Sequence, residues 1–208
     1  MIKRIESAAR QQRKKGRGTA GAFSAVLLLC ALSTLYAVSV RSAEVVARKR
    51  ELPIYCVDRA DQKIAISFDA AWGGDKTRKI LDILDEYQVK TTFFLVDIWT
   101  QRFPELVKEI AARGHEIGNH STSHPQMSKL SAEKIAQELK TMSDEAEALT
   151  GVRPRLFRPP YGDYNNQVVL TARAEGYEVI QWSVDSLDWK NRGVQDLVNR
   201  ATQKVRSG

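Results

Sequence analysis

The segment GNHSTSHP, residues 118 to 125, places His120 and His124, two of the chain's three histidines, four positions apart in a run of small polar residues. Histidines at i and i+4 can bring two ring nitrogens to one side of a helical turn, within reach of one divalent ion at about 2.0 to 2.1 Å. The same stretch suits another structure. Asn119, Ser121, Thr122 and Ser123 favour a hydrogen-bonded turn, with the histidines solvated or capping a helix. Spacing alone leaves both readings open. Cysteine offers no alternative: Cys30 lies in an apolar run and Cys56 beyond a basic stretch, so neither a disulfide framework nor a Cys-based zinc site is expected. Any metal would have to use histidine and carboxylate.

The elements that must position these groups are legible as a repeat. KIAISF (63 to 68) and TTFFLV (91 to 96) read as strands, EIGN leads as a third into the histidines, and RLFR (155 to 158) and YEVIQWSV (177 to 184) follow. Between them lie amphipathic stretches. One carries Ile80, Ile83, Leu84 and Tyr87, and one begins near Pro104 with Gly114 past its end. A long one is capped by Ser131, striped by Ile135, Leu139, Met142, Ala146 and Leu149, and stopped at Gly151. Another runs to about Glu175, and the last starts near Val194. Repeated βα units predict a parallel sheet, doubly wound or rolled into a barrel, with ligands at the carboxyl ends of the strands. Asp69, His120, Arg158, Asp185 and Asp188 all fall at such ends. Trp72 and Phe93 are expected in the core.

Charge separates the chain into two parts. Residues 1 to 51 hold 11 Lys plus Arg against 3 Asp plus Glu, and residues 52 to 208 hold 21 against 22. The formal +7 therefore belongs to the N-terminal part, and no basic patch is left to track phosphates, which argues against a nucleic-acid partner. Residues 1 to 18 are basic, and 19 to 40 run without a charge for a length that suffices to cross a bilayer. The basic flank predicts a cytoplasmic N-terminus and an exported domain. A cleaved signal peptide, with Ala37 and Ser39 before the cut, is the rival reading. The expected organisation is a basic segment 1 to 18, a transmembrane signal anchor 19 to 40, a linker 41 to 60 and the domain of βα units 61 to 208.

SFDAAWG (67 to 73), HSTSH (120 to 124), RPPYG (158 to 162) and DSLDW (185 to 189), in that order, resemble the motifs of the polysaccharide deacetylase family, the NodB-homology domain. The forms SFDAAWG, GNHSTSHP and QWSVDSLDWKN look most like its membrane-anchored, PdaB-like sporulation branch. The resemblance implies a deformed (β/α) barrel that removes acetyl groups from N-acetylated sugars of a cell-wall polysaccharide such as peptidoglycan, at the outer side of the cell membrane. It implies a divalent metal, zinc being expected, on His120 and His124. Asp69 would be the general base, and Arg158 the partner that holds a carboxylate, with Asp188 the expected one. Tyr161 would lend its backbone N–H to an oxyanion, and Trp189 would wall the acetyl pocket. Taken as residues alone, Asp69 and Tyr161 also suit turns, Arg158 a structural ion pair and Trp189 the core.

Two departures accompany the resemblance. The family's second carboxylate, a metal ligand, is replaced by Ala70. Asp75 could substitute, although GGDKT reads better as a helix N-cap. The family also continues to a strand bearing a histidine general acid, and five βα units are few for closing a barrel, so a C-terminally incomplete domain is expected. A degraded, glycan-binding relative of the enzymes is the alternative reading.

Overall fold

The computed structural model describes residues 28–36 and 49–207. It divides into two compact units, Met1–Arg50 and Glu51–Gly208. In the first, residues 28–36 form an exposed helix, α1. Within it Thr34 Oγ1 donates to the carbonyls of Cys30 and Ala31 at 3.0 and 2.9 Å, the back-bonding that lets threonine sit in a helix. Among the described residues no helix is long and apolar enough to cross a membrane. The basic segment 1 to 18 and most of the anchor expected at 19 to 40 lie outside the described residues.

The second unit is built on strands β1 (Ser67–Ala70), β2 (Thr92–Leu95), β3 (Glu116–Asn119), β4 (Leu156–Phe157) and β5 (Glu178–Val179). They form one five-stranded sheet in the order β1-β2-β3-β4-β5, parallel throughout. Each crossover thus steps one place in the same direction. Right-handed crossovers then keep the connecting helices on one face and turn the other face inward. This is the winding of a barrel; a doubly wound sheet reverses its order at a switch point. The helices are α2 (Thr77–Glu86), α3 (Asp97–Arg102), α4 (Pro104–Ala112), α5 (Ala132–Thr150), α6 (Asn166–Ala174) and α7 (Val194–Gln203). The long helix α5 begins and ends as its sequence demands, with Ser131 accepting from the Lys134 N–H at 3.4 Å and Gly151 left-handed at φ 75°.

Four details differ from the sequence reading. β1 starts at Ser67 and not at Lys63, because β2 begins at Thr92, opposite Ser67, and leaves residues 63 to 66 without a neighbouring strand. Helix α3 was not foreseen; it is a short helix entered directly from β2. On α2 the buried face is Thr77, Leu81 and Leu84, while Ile83 and Tyr87 are exposed. Residues 51 to 60 are not all linker: Ile54 bridges Ile180 in parallel, and Glu51 accepts from Arg173 at 2.7 Å.

Alternation along the strands sorts side chains into two layers. Phe68 and Phe93 stack at 5.2 Å on the layer that holds Leu81, Leu95, Trp99 and Ile110. A second apolar cluster, with Leu139, Phe157, Val168 and Val179, underlies α5 and α6. The opposite layer carries a row formed by Asp69, Phe94 and Gly118, which are register partners across β1, β2 and β3. Glycine is required in that row because a Cβ at position 118 would lie 2.4 Å from Phe94 Cδ1. Phe94 is only 1% exposed and has no room to retreat. Gly118→Ala is therefore expected to destabilise the domain by about 1 to 3 kcal/mol, the usual cost of overpacking, read as a lower urea midpoint with an unchanged slope.

Candidate active site

The inward row and the strand ends bring three groups into direct contact. Arg158, at the end of β4, donates from Nη1 to Asp69 Oδ1 at 2.7 Å and from Nη2 to the Gln181 carbonyl at 3.3 Å. Its guanidinium lies over the Phe94 ring, 4.0 Å from the centroid. Strand β4 is third from β1 in the sheet, so this contact shows that the sheet curls and that Arg158 spans its concave side. The expected partner of Arg158 was Asp188; the observed one is Asp69. Asp188 is exposed and accepts from Ser186 Oγ at 2.9 Å, because residues 185 to 191 fold on themselves. Leu187 N–H donates to Asp185 at 2.8 Å, and Leu187 and Asn191 are both left-handed.

His120 follows β3 and is buried. Its Nδ1 is 2.6 Å from the Arg158 carbonyl. A carbonyl can only accept, so Nδ1 carries the proton and the neutral ring keeps its lone pair on Nε2. That nitrogen faces Asp69 Oδ2 at 3.8 Å. Burial lowers the His120 pKa, opposed by the neighbouring Asp69. The His124 ring stands edge-on to His120 with centroids 5.1 Å apart. Its pKa is pushed down to about 4, by burial first and by His120 second, and its buried Nδ1 has no hydrogen-bond partner. The third histidine, His115, is structural: its Nδ1 accepts from the Thr91 N–H at 3.3 Å.

The two rings meet, but no helical turn brings them together. Residues 120 to 126 form a loop with Ser121 at φ 71° and His124 at φ 57°. Single non-glycine residues in that region are costly unless their surroundings hold them. Here Glu138 on α5 does so. Its carboxylate accepts from the N–H groups of Thr122 and Ser123 at 2.9 and 2.8 Å and from Ser123 Oγ at 2.8 Å, while its carbonyl takes Thr122 Oγ1 at 2.8 Å. Asn119 completes the clamp, accepting from the Ser121 N–H at 2.8 Å and donating to the Leu139 carbonyl at 2.7 Å. Glu138 had no sequence signal, since it sits on the polar side of an ordinary amphipathic helix.

Aromatic side chains rim the cluster. Tyr161 is left-handed at φ 60° and exposed, with its ring 4.5 Å from His124. Trp72, expected in the core, is 71% exposed and stands edge-on to His124 at 5.9 Å. Trp189 is equally exposed, and its ring contact is with Lys190 Nζ at 4.8 Å. Asp75 is not a helix cap either: α2 takes Lys76 as N-cap, with no side-chain hydrogen bond there.

The donor set can be tested for a metal. A buried and a half-buried imidazole, both held neutral, are the form that ligates a cation, and the unpartnered Nδ1 of His124 is a buried lone pair or proton awaiting company. The pair fits a divalent ion as two ligands. A catalytic zinc usually has three from the protein, and the position after Asp69 on β1 is Ala70, half-buried against the apolar cluster. Among the described residues no group of three or more His, Cys, Asp or Glu is placed to hold a metal.

Comparison with known proteins shows the family. The polysaccharide deacetylase family model matches residues 57–180, more than half of the chain. The uncharacterised protein YlxY of Bacillus subtilis is 37% identical over 156 residues, covering 75% of this chain and 49% of that protein. A peptidoglycan-N-acetylglucosamine deacetylase of Bacillus cereus is 38% identical over 154 residues, 73% of this chain and 72% of that one. Among solved structures, a CE4-family pseudoenzyme from Bacillus anthracis superposes with a TM-score of 0.73 at 34% identity, covering 76% of this chain and 56% of that one. The chain spans about half the length of the first curated relatives it matches.

The displaced histidine pKa values set a pH dependence. Between the ordinary value of 6.5 and about 4, the unfolded chain binds a proton at residue 124 that the folded chain does not, so stability falls as pH falls through that window. Asp97 works the other way. Its buried carboxyl is raised from 3.8 to about 6, by burial first, so it stabilises the fold as pH falls from about 6 to 3.8. His124→Gln removes only the first contribution. In chemical denaturation with chelator present, the variant should lose less stability than the parent between pH 6.5 and 4; equal losses would contradict the assignment.

Proposed function

Because the chain belongs to the polysaccharide deacetylase family, we propose that its cluster hydrolyses the N-acetyl groups of a cell-wall glycan, peptidoglycan or a related polymer of N-acetylated hexosamines. The observation that carries this reading is the carboxylate of Asp69. One oxygen is tied to Arg158 at 2.7 Å and the other is presented 3.8 Å from the free nitrogen of His120, beside a second neutral imidazole. Amide hydrolysis needs a base for the attacking water and a polarised carbonyl. Asp69 Oδ2 would take the proton, while Arg158 holds Oδ1. His120 and His124 would hold a divalent ion, zinc by ligand type. When bound, such an ion supplies Lewis-acid polarisation and a water of lowered pKa. Tyr161, on its left-handed turn beside His124, borders the place where the acetyl oxygen would lie.

A second reading rests on a specific residue. Ala70 leaves the donor set one carboxylate short, and the solved pseudoenzyme from Bacillus anthracis is 34% identical to this chain. On that reading the cleft binds glycan without turning it over. Both readings place the domain outside the cell on an N-terminal anchor, supported by the basic residues 1 to 18 and the uncharged run 19 to 40.

One set of proteins separates the two. Acetate release from N-acetylated wall oligosaccharides is measured for the parent, Asp69→Asn and Ala70→Asp, each on a chain extended to carry the histidine strand that the resemblance implies, with glycan binding beside it. The enzyme reading expects turnover in the parent and a loss of about 10²- to 10⁴-fold in Asp69→Asn, the span of general-base contributions, with folding retained. A parent that binds glycan but releases no acetate leaves the binding reading standing. Ala70→Asp should tighten zinc in a competition titration. Because Ala70 packs against the apolar cluster, the new carboxylate should also lower the melting temperature of the metal-free protein and make stability depend on zinc concentration. For topology, protease protection in intact cells should leave residues 1 to 18 protected and the domain accessible; a soluble product starting near Val40 would identify a cleaved signal peptide instead.

A further inference from the structure

Gln181 lies just beyond β5 and is buried. Continued alternation puts it on the same side as Val179, a member of the apolar cluster under α5 and α6, where an apolar side chain of the same length would fill the space. A buried amide is tolerated only when it is hydrogen-bonded, and this one is: Nε2 donates to the Gly162 carbonyl at 3.0 Å. The backbone of the same residue is committed as well. Its carbonyl accepts from Arg158 Nη2 at 3.3 Å, and its N–H donates to the Ile54 carbonyl at 2.8 Å. Gln181 therefore holds both ends of the run RPPYG, 158 to 162, from one side.

That run needs an outside hold. Tyr161 at φ 60° and Gly162 at φ 66° are consecutive left-handed residues, and the tyrosine carries a Cβ, so its conformation persists only where neighbours impose it. The phenol ring is exposed and contributes one contact, with His124 at the rim. The imposing contacts lie on the flanks. Gly162 sits so close to Trp182 that a Cβ would lie 2.9 Å from its Cη2, and the Gly162 N–H donates to the Pro159 carbonyl at 3.0 Å. Asp163 accepts from the N–H and Oγ of Ser128 at 2.9 and 2.8 Å. Asp163 thus ties the turn to the chain just after the histidine loop, and Gln181 ties it to Arg158. The Tyr161 N–H has no acceptor among the described residues.

We infer that Gln181 is a positioning residue: through the Gly162 carbonyl it sets the Tyr161 turn against the pair of Arg158 and Asp69, so that the Tyr161 N–H and the Asp69 carboxylate keep one spacing. The inference rests on the proposed reading of the cluster as a deacetylase centre, in which the first group meets the acetyl oxygen and the second takes the proton of water. Without the amide donor the Gly162 carbonyl loses its partner and the turn loses its link to Arg158.

Two variants test this. Gln181→Met keeps length and bulk and removes the donor. In the full chain, ¹⁵N relaxation should give order parameters near about 0.85 at Phe157, Tyr161 and Gly162 in the parent, and below about 0.6 at Tyr161 and Gly162 in the variant, with Phe157 unchanged. In the extended chain, acetate release should show kcat lowered about 10- to 100-fold with KM unchanged, the mark of a misplaced group that acts in the transition state. Gln181→Glu adds a readout that a merely structural role would not move. Its carboxylate has no proton to give the Gly162 carbonyl, but its protonated form does. Order at Tyr161, and kcat relative to the parent, should therefore recover as pH is lowered, whereas Gln181→Met stays low throughout. Should Gln181→Met fail to fold, Gln181→Glu decides alone. The inference is overturned if Tyr161 stays as ordered in Gln181→Met as in the parent, if that variant turns over like the parent, or if Gln181→Glu shows no recovery. A parent that releases no acetate would overturn the deacetylase reading alone, and the relaxation data would still decide whether Gln181 holds the turn.

Discussion

The centre of this domain depends on the placement of one guanidinium. Arg158 is 5% exposed, and a buried cation is tolerated only where charge and hydrogen bonds compensate its lost hydration. Asp69 supplies the charge from β1, the Gln181 carbonyl an acceptor beyond β5, and the Phe94 ring a π face from β2. Its own backbone carbonyl then fixes His120. Four strands and the loop after a fifth are thus tied through one residue, and the curl of the sheet is what allows their ends to meet. Removing Asp69 would leave that cation uncompensated, whereas Asn at the same position keeps an oxygen for it.

The histidine loop is a second layer of the same construction. Its left-handed residues have no preference of their own for this shape, and the shape persists because Glu138 and Asn119 collect the loop's N–H groups. A carboxylate surrounded by backbone donors is satisfied without a cationic partner. The rings of His120 and His124 are thereby held in place from below, through α5, with their open side toward Asp69 and the aromatic rim.

Much of this was legible in the sequence where a single periodicity decides the outcome. The long helix between Ser131 and Gly151 could be read because its cap, stripe and stop agree, and the strands could be read because hydrophobic runs recur between helices. Asp69, His120, His124 and Arg158 were legible as a set because strand ends gather ligands, and the four motifs resemble one family. What could not be read depends on contacts between distant residues. The partner of Arg158 is decided by how far the sheet curls, which no local pattern encodes, so Asp188 was as good a candidate as Asp69. Trp72 looks like core by composition and is exposed because Gly73 and Gly74, and not the indole, approach the interior. Glu138 is one polar residue on a polar face until the loop that it holds is known. The two-residue strands β4 and β5 are shorter than their apolar runs suggest, because their neighbours leave them little to pair with.

The bridge between Ile54 and Ile180 has a consequence for how the chain comes into being. Residues 51 to 54 open the compact unit, yet their strand partner lies beyond β5, and Glu51 waits in the same way for Arg173. Such contacts close very long loops, whose entropy must be spent before the contact gives anything back. During synthesis from the N-terminus, the first segment of the domain stays unpaired until nearly all the rest has emerged. For a chain that emerges in that order, the opening segment meets the fifth strand late, and the interval before it does is when the nascent domain is most open to proteolysis and to chaperones.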